Sequence, residues 1–138
     1  MNKTVLVSTL TLFLAGCACI DSRAPKPDSQ HSTDSKNPAI TVVAGKHIVV
    51  HQEPLYFDRD EKGVKITWWL PADSTYRFPK DGIVVRNEDG EFEKCHAEEN
   101  GMRFACMNLH KKPGTYKYTV RVEGSPAVPP LDPTIVNY

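Results

Sequence analysis

Residues 64–70 read VKITWWL. On a strand, successive side chains point to opposite faces, so Val64, Ile66, Trp68 and Leu70 share one face while Lys65, Thr67 and Trp69 share the other. The two adjacent tryptophans are thereby divided: Trp68 belongs to a core, and Trp69 to a polar face. Residues 115–122, TYKYTVRV, repeat the pattern, with Tyr116, Tyr118, Val120 and Val122 inward and Thr115, Lys117, Thr119 and Arg121 outward. One dry and one wet face per strand is the signature of antiparallel sheets. Working outward from these two runs, short β-type segments bounded by Gly, Pro, Asn and Asp fill the chain from Ile40 onward. Strands are predicted near 40–43, 46–51, 54–57, 64–70, 82–86, 91–97, 102–107, 115–122 and 133–137. No window carries a 3.6-residue apolar stripe, and 11 prolines punctuate the chain. The expected fold is all-β, a small two-sheet antiparallel sandwich over residues 40–138, a length of about 100 residues that suits such a domain.

The stretch CHAEENGMRFAC, residues 95–106, predicts a hairpin closed by a disulfide. Asn100-Gly101 favours a type I′ turn, whose two central residues both need positive φ. In that register Glu98 faces Arg103, Ala97 faces Phe104, and Cys95 faces Cys106. A two-residue turn makes the cysteines a hydrogen-bonded pair, whose side chains diverge; a wider turn or a bulge relaxes that geometry. Closing this loop contributes on the order of 3 kcal/mol in the chain-entropy model.

The Trp in an early strand and the Gly114-Thr115-Tyr116 lead-in to a late one resemble immunoglobulin-like sandwiches. The resemblance is architectural and carries no binding residues with it, since Tyr118 stands where antibody domains place a second cysteine. The proline-rich stretch Pro126 to Pro133 is expected to wrap the sandwich and blunt a last edge strand.

The first residues are a different kind of segment. Lys3 precedes the apolar run VLVSTLTLFL at 5–14, which as a helix covers about 15 Å, half of a bilayer core. That is a signal h-region. Leu14-Ala15-Gly16-Cys17 follows at once and resembles the lipobox of bacterial lipoproteins. The resemblance implies a signal peptide over 1–16, lipidation of Cys17, and a membrane anchor of several acyl chains (the palmitate-bearing type). Ala18 at the sorting position implies the outer membrane, facing the periplasm. The alternative is an ordinary secretory signal cut after Ala18. Cys19 is open between a second acylation site, an intermolecular bridge and a spare thiol. Residues 17–39, rich in Ser, Asp, Pro and Lys, have the composition of a flexible tether with a reach of about 25 Å.

The 138 residues carry 17 Lys+Arg against 17 Asp+Glu. A balanced charge disfavours nucleic acid as a partner, because phosphate-binding proteins carry a basic excess. No metal or other cofactor is expected. Cys106 and His110 invite comparison with cupredoxins, but Val120 occupies the position of the ligand cysteine in the Pro113-to-Tyr118 strand pattern. His47 and His51, on a strand, stand about 13 Å apart and cannot share one ion. Ser74 and Ser125 lie in no nucleophile motif. The acidic runs Asp58 to Glu61 and Glu88 to Glu91 read as solvated turns. No catalytic constellation is present, so the expected role is non-enzymatic.

The binding candidates are Trp69 with Lys65 and Thr67, and a second aromatic–cationic group, Tyr76 and Arg77. Trp69 reads either as a ring covered by a neighbouring segment, such as that near Pro54 to Phe57, or as an exposed anchor. The expected function is a cell-envelope lipoprotein whose domain binds another envelope protein. Alternatives are a glycan-binding module for peptidoglycan or lipopolysaccharide, and an envelope-protective inhibitor of a host enzyme that uses a loop such as Asp73–Lys80.

Overall fold

The computed structural model describes residues 34–87 and 90–138. The signal segment, Cys17, Cys19 and most of the tether lie outside the described residues. Among the described residues nine strands are formed: β1 (Ile40–Val43), β2 (His47–Val50), β3 (Leu55–Phe57), β4 (Val64–Trp69), β5 (Ile83–Val85), β6 (Phe92–Glu98), β7 (Arg103–Asn108), β8 (Gly114–Val120) and β9 (Thr134–Asn137). Each falls on one of the runs expected from alternation, within two residues at either end.

Two sheets face one another. One has the order β4-β7-β6, the other β3-β9-β8-β5, and β1-β2 forms a separate hairpin. Ile66, Trp68, Phe92 and Phe104 from the first sheet meet Leu55, Phe57, Tyr116, Tyr118, Val120 and Ile135 from the second, all buried. Trp68 and Tyr118 lie with ring centroids 5.5 Å apart, and Phe92 and Tyr116 5.2 Å apart, so aromatic pairs bridge the layers. These contacts make the all-β sandwich, and the period-2 alternation of β4 and β8 is its cause.

Three expectations are corrected. The sandwich is not wholly antiparallel, because β3 pairs β9 in parallel, with Leu55 opposite Ile135. In consequence β9 is an interior strand held between β3 and β8, and the preceding prolines do not blunt an edge. Alternation reports which side of a strand is dry and says nothing of which strand lies next to it. The folded part also begins before residue 40. The Thr67 and Trp69 amides donate to the Lys36 and Pro38 carbonyls (2.7 and 3.2 Å), and Pro38 and Ala39 are buried. The last residues of the polar stretch are thus a strap laid along β4.

Cys95 and Cys106 form the expected disulfide. The turn is wider than a two-residue one. The strap takes the outward amides of Thr67 and Trp69, so Trp68 and Ile66 bond to Phe104 and Cys106. Arg103 and Ala105 are left to bond Glu98 and His96 across a four-residue loop, Glu99–Met102. Asn100 and Gly101 have positive φ, as the sequence required. This phase makes the cysteines a non-hydrogen-bonded pair, in which side chains approach closely, and their Cα atoms are 4.1 Å apart. A bulge between Glu93 and His96, with Lys94 at φ 54°, sets two residues of β6 against Cys106.

Candidate functional site

The wet face of the β4-β7-β6 sheet carries the residues singled out on β4. Lys65, Thr67 and Trp69 stand beside Met107, Ala105 and Arg103 of β7, and beyond these lie Glu98 and His96 of β6. Lys65 donates to Glu98 at 2.8 Å. That hydrogen bond holds the Glu98 carboxyl below the usual carboxylate range, with further attraction from Lys65 and His96. His96 lies 3.2 Å from the same oxygen. Lys65 is therefore occupied in a cross-strand pair and is a weaker candidate for contacting a ligand than its position suggested.

Trp69 is half-buried. The strap, rather than the segment near Pro54 to Phe57, lies beside it: its Nε1–H donates to the Asn37 carbonyl at 3.0 Å. With its one donor fixed, the indole has a set orientation and leaves apolar ring surface on either side. On one side is a groove of about 390 Å³ lined by Trp69, Leu70, Arg77, Met102 and Arg103 among others. On the other is a groove of about 340 Å³ lined by Asn37, Thr67, Trp69 and Arg103. Arg103, directly opposite Trp69, lines both, and its Nε lies 3.3 Å from a Glu99 oxygen. Arg77 lines the first groove while donating to the Ser74 and Tyr76 carbonyls (2.6 and 2.7 Å).

Tyr76 does not join this group. It is buried at 8% exposure, its hydroxyl donates to the Pro126 carbonyl at 2.8 Å, and it lines a different groove with Asp73 and Ser74. The loop that carries it is pinned twice more, by Phe78 in the core and by paired backbone bonds between Arg77 and Glu123 (2.9 and 2.8 Å). An aromatic within a polar loop reads as exposed from sequence. Here the loop crosses the end of the sandwich, and its apolar members cap the core.

Arg103, Met102 and Asn37 were not singled out from sequence. The hairpin register did pair Arg103 with Glu98, but its place beside Trp69 depends on β4 pairing β7, which no local signal encodes. Elsewhere, His110 is structural: its Nδ1 and Nε2 lie 3.1 and 2.9 Å from the carbonyls of Glu61 and Tyr138. His51 bonds Thr41 Oγ1 at 3.0 Å, and His47 is exposed at the β1–β2 turn. Glu91, read as part of a solvated turn, is buried at 1% exposure, where one carboxylate oxygen accepts from the Lys111 amide (2.7 Å). Glu88 and Asp89 of that run lie outside the described residues. Among the described residues, no three His, Cys, Asp or Glu side chains are grouped to hold a metal ion.

The site offers a fixed indole, a guanidinium with N–H groups left over, and apolar Leu70 and Met102 beside them. The chemistry of these groups is that of ring stacking and charge-assisted hydrogen bonding. No protein-family model matches the chain, and comparison with curated proteins returns no match.

Proposed function

We propose that the chain is a lipid-anchored envelope protein whose sandwich domain binds another protein through the Trp69 face. The observation that carries this reading is Trp69 itself. It is pinned by Asn37 and flanked by two grooves, with Arg103 lining both and Arg77 one. Trp and Arg concentrate binding energy at protein interfaces, and Met102 adds an adaptable apolar contact. The anchor is the Cys17 thioether that the Leu14-Ala15-Gly16-Cys17 motif implies, joined to the domain by the polar tether. A second reading is favoured by the smaller groove, where Asn37, Thr67 and Arg103 surround the indole with hydrogen-bonding groups. That setting suits a sugar stacked on Trp69.

One experiment separates the two. A photo-crosslinking amino acid is placed at position 67 in cells making the lipidated protein, and in parallel cells making its Trp69→Ala form. A single crosslinked envelope protein that is lost with Trp69→Ala supports the protein-binding reading. If no protein is captured, and peptidoglycan or lipopolysaccharide fragments quench Trp69 fluorescence, the glycan reading replaces it. Labelled palmitate that enters wild type but not Cys17→Ser checks the anchor.

A further inference from the structure

The outer face of the β3-β9-β8-β5 sheet differs in character from the Trp69 face. Leu55, Phe57 and Ile135 point into the core, so Tyr56 and Val136, paired between β3 and β9, point outward. Thr115 of β8 stands next to Val136 and completes that row. Tyr138 follows on the same side with its ring stacked on Tyr56, the centroids 5.9 Å apart and the planes 15° from parallel. The two tyrosines are 45% and 51% exposed, so the stack stands open to solvent.

The next row across the sheet carries Thr134, Lys117 and Arg86, since Lys117 pairs Thr134 and its carbonyl accepts from the Arg86 amide at 2.9 Å. Lys117 donates to Thr134 Oγ1 at 2.9 Å. Neither Lys117 nor Arg86 makes an ion pair among the described residues. Beyond them Val84 stands opposite Thr119 and is also exposed. Three acids lie at the margins. Glu53 takes the Thr134 amide and feels the Lys117 charge, Asp132 accepts from Thr119 Oγ1 at 2.6 Å, and Asp81 lies 3.4 Å from Arg121. The chain arrives beside the tyrosines. Residues 18–33 join Cys17 to the first described residue, and Ser35 Oγ accepts from the Tyr56 amide before the strap turns along β4. The Trp69 face belongs to the other sheet and looks the opposite way.

We propose that this outer face rests on the phospholipid headgroup layer, with Tyr56 and Tyr138 at headgroup level and Lys117 and Arg86 on lipid phosphates. The inference rests on the lipid anchor of the proposed function. Tyrosine favours the membrane interface because its ring is apolar while its hydroxyl stays wet. Each cation close to an anionic lipid surface adds about 1 kcal/mol. These side chains alone would not hold a free domain on a membrane. The tether changes that, because it supplies an effective concentration on the order of 1 mM, at which a weak contact is occupied. Seated in this way, the domain turns its Trp69 face to the aqueous side, where a partner reaches it.

The test uses the lipidated full chain, one copy per nanodisc of phosphatidylcholine and phosphatidylglycerol, with gadolinium-chelating lipid as a paramagnetic probe. NMR signals of Tyr56, Val136, Lys117 and Arg86 should broaden most, and those of Thr67, Trp69 and Arg103 least. With a single copy per disc, pairing between copies cannot produce that gradient. In a Tyr56→Ser/Lys117→Glu/Arg86→Glu variant the ratio of broadening between the two faces should fall from several-fold to about one, with Trp69 fluorescence showing the fold kept. If that variant does not fold, Lys117→Glu alone should lower the ratio by about half. Equal broadening of the two faces in wild type would overturn the proposal and leave this surface to a soluble partner. A gradient of the reverse sense, or one that the substitutions leave unchanged, would overturn it as well. A second arm holds a Cys17→Ser chain lacking residues 1–16 by an N-terminal His tag on nickel-chelating lipid. That arm tests the face without the natural lipid, while palmitate labelling tests the anchor, so the two readings fail separately.

Discussion

Trp68 and Trp69 are adjacent residues with different jobs, and the strand alternation alone divides them. Trp68 is fully buried against Tyr118, so Trp68→Ala should cost about 3–5 kcal/mol in chemical denaturation. Trp69→Ala removes one hydrogen bond and a half-buried ring, and should cost only about 1 kcal/mol. The buried core also contains an imperfection. Neither the Trp68 indole N–H nor the Tyr118 hydroxyl makes a hydrogen bond of good geometry. Burial pushes the tyrosine hydroxyl well above its ordinary pKa, and the nearby Trp68 side chain offsets only part of that rise. Tyr118→Phe deletes an orphaned hydroxyl while keeping the ring. It should change stability by less than about 1 kcal/mol, in the stabilising direction if at all. A loss of about 2 kcal/mol or more would show that the hydroxyl has a partner in solution.

At the scale of elements, the β6–β7 hairpin was the most legible. Its register, its disulfide and the positive φ of Asn100 and Gly101 all follow from residues 95–106 read locally. The turn, in contrast, is wider than expected, and Glu98 bonds Lys65 while Arg103 lies against Glu99. What the local reading missed was the phase, because the strap on the far side of β4 decides which β7 residues bond to β6. Gly101 ties the hairpin to the rest. Its φ is +80°, and a Cβ there would lie 2.7 Å from the Phe78 carbonyl, while its own carbonyl accepts from the Phe78 amide at 2.8 Å. Gly101→Ala should therefore destabilise by more than about 1 kcal/mol, from the left-handed backbone and the clash together, and the midpoint of thermal unfolding would register it. The Tyr76 loop was less legible, for the opposite reason. Its polar sequence pointed outward, and long-range contacts turned Tyr76 in.

At the scale of the whole molecule, the strap joins the two sheets along one side, accepting from β4 amides at the Lys36 and Pro38 carbonyls and from the Tyr56 amide of β3 at Ser35 Oγ. Lys36 holds it to Glu61 at 2.8 Å, and that contact keeps the Glu61 carboxyl below its usual 4.5. Glu98, bonded to Lys65, is lowered in the same way. A carboxyl with a depressed folded-state pKa stabilises the fold above about pH 4.5, and the contribution is lost as pH falls through the lower folded value. Glu53, raised mainly by burial, acts with the opposite sign. The strap should loosen below about pH 4.5, seen as a change in Trp69 fluorescence before global unfolding, and Lys36→Gln should remove the step. The sequence by itself determined the number and place of the strands, the dry side of β4 and β8, the disulfide and the division of the tryptophans, because period-2 alternation and turn chemistry act within a few residues. Only the tertiary structure decided the parallel β3–β9 pair, the strap on β4, the burial of Tyr76 and the meeting of Trp69 with Arg103. Those depend on which edges meet, and backbone hydrogen bonds, being alike in every strand, leave no mark of their partner in the sequence.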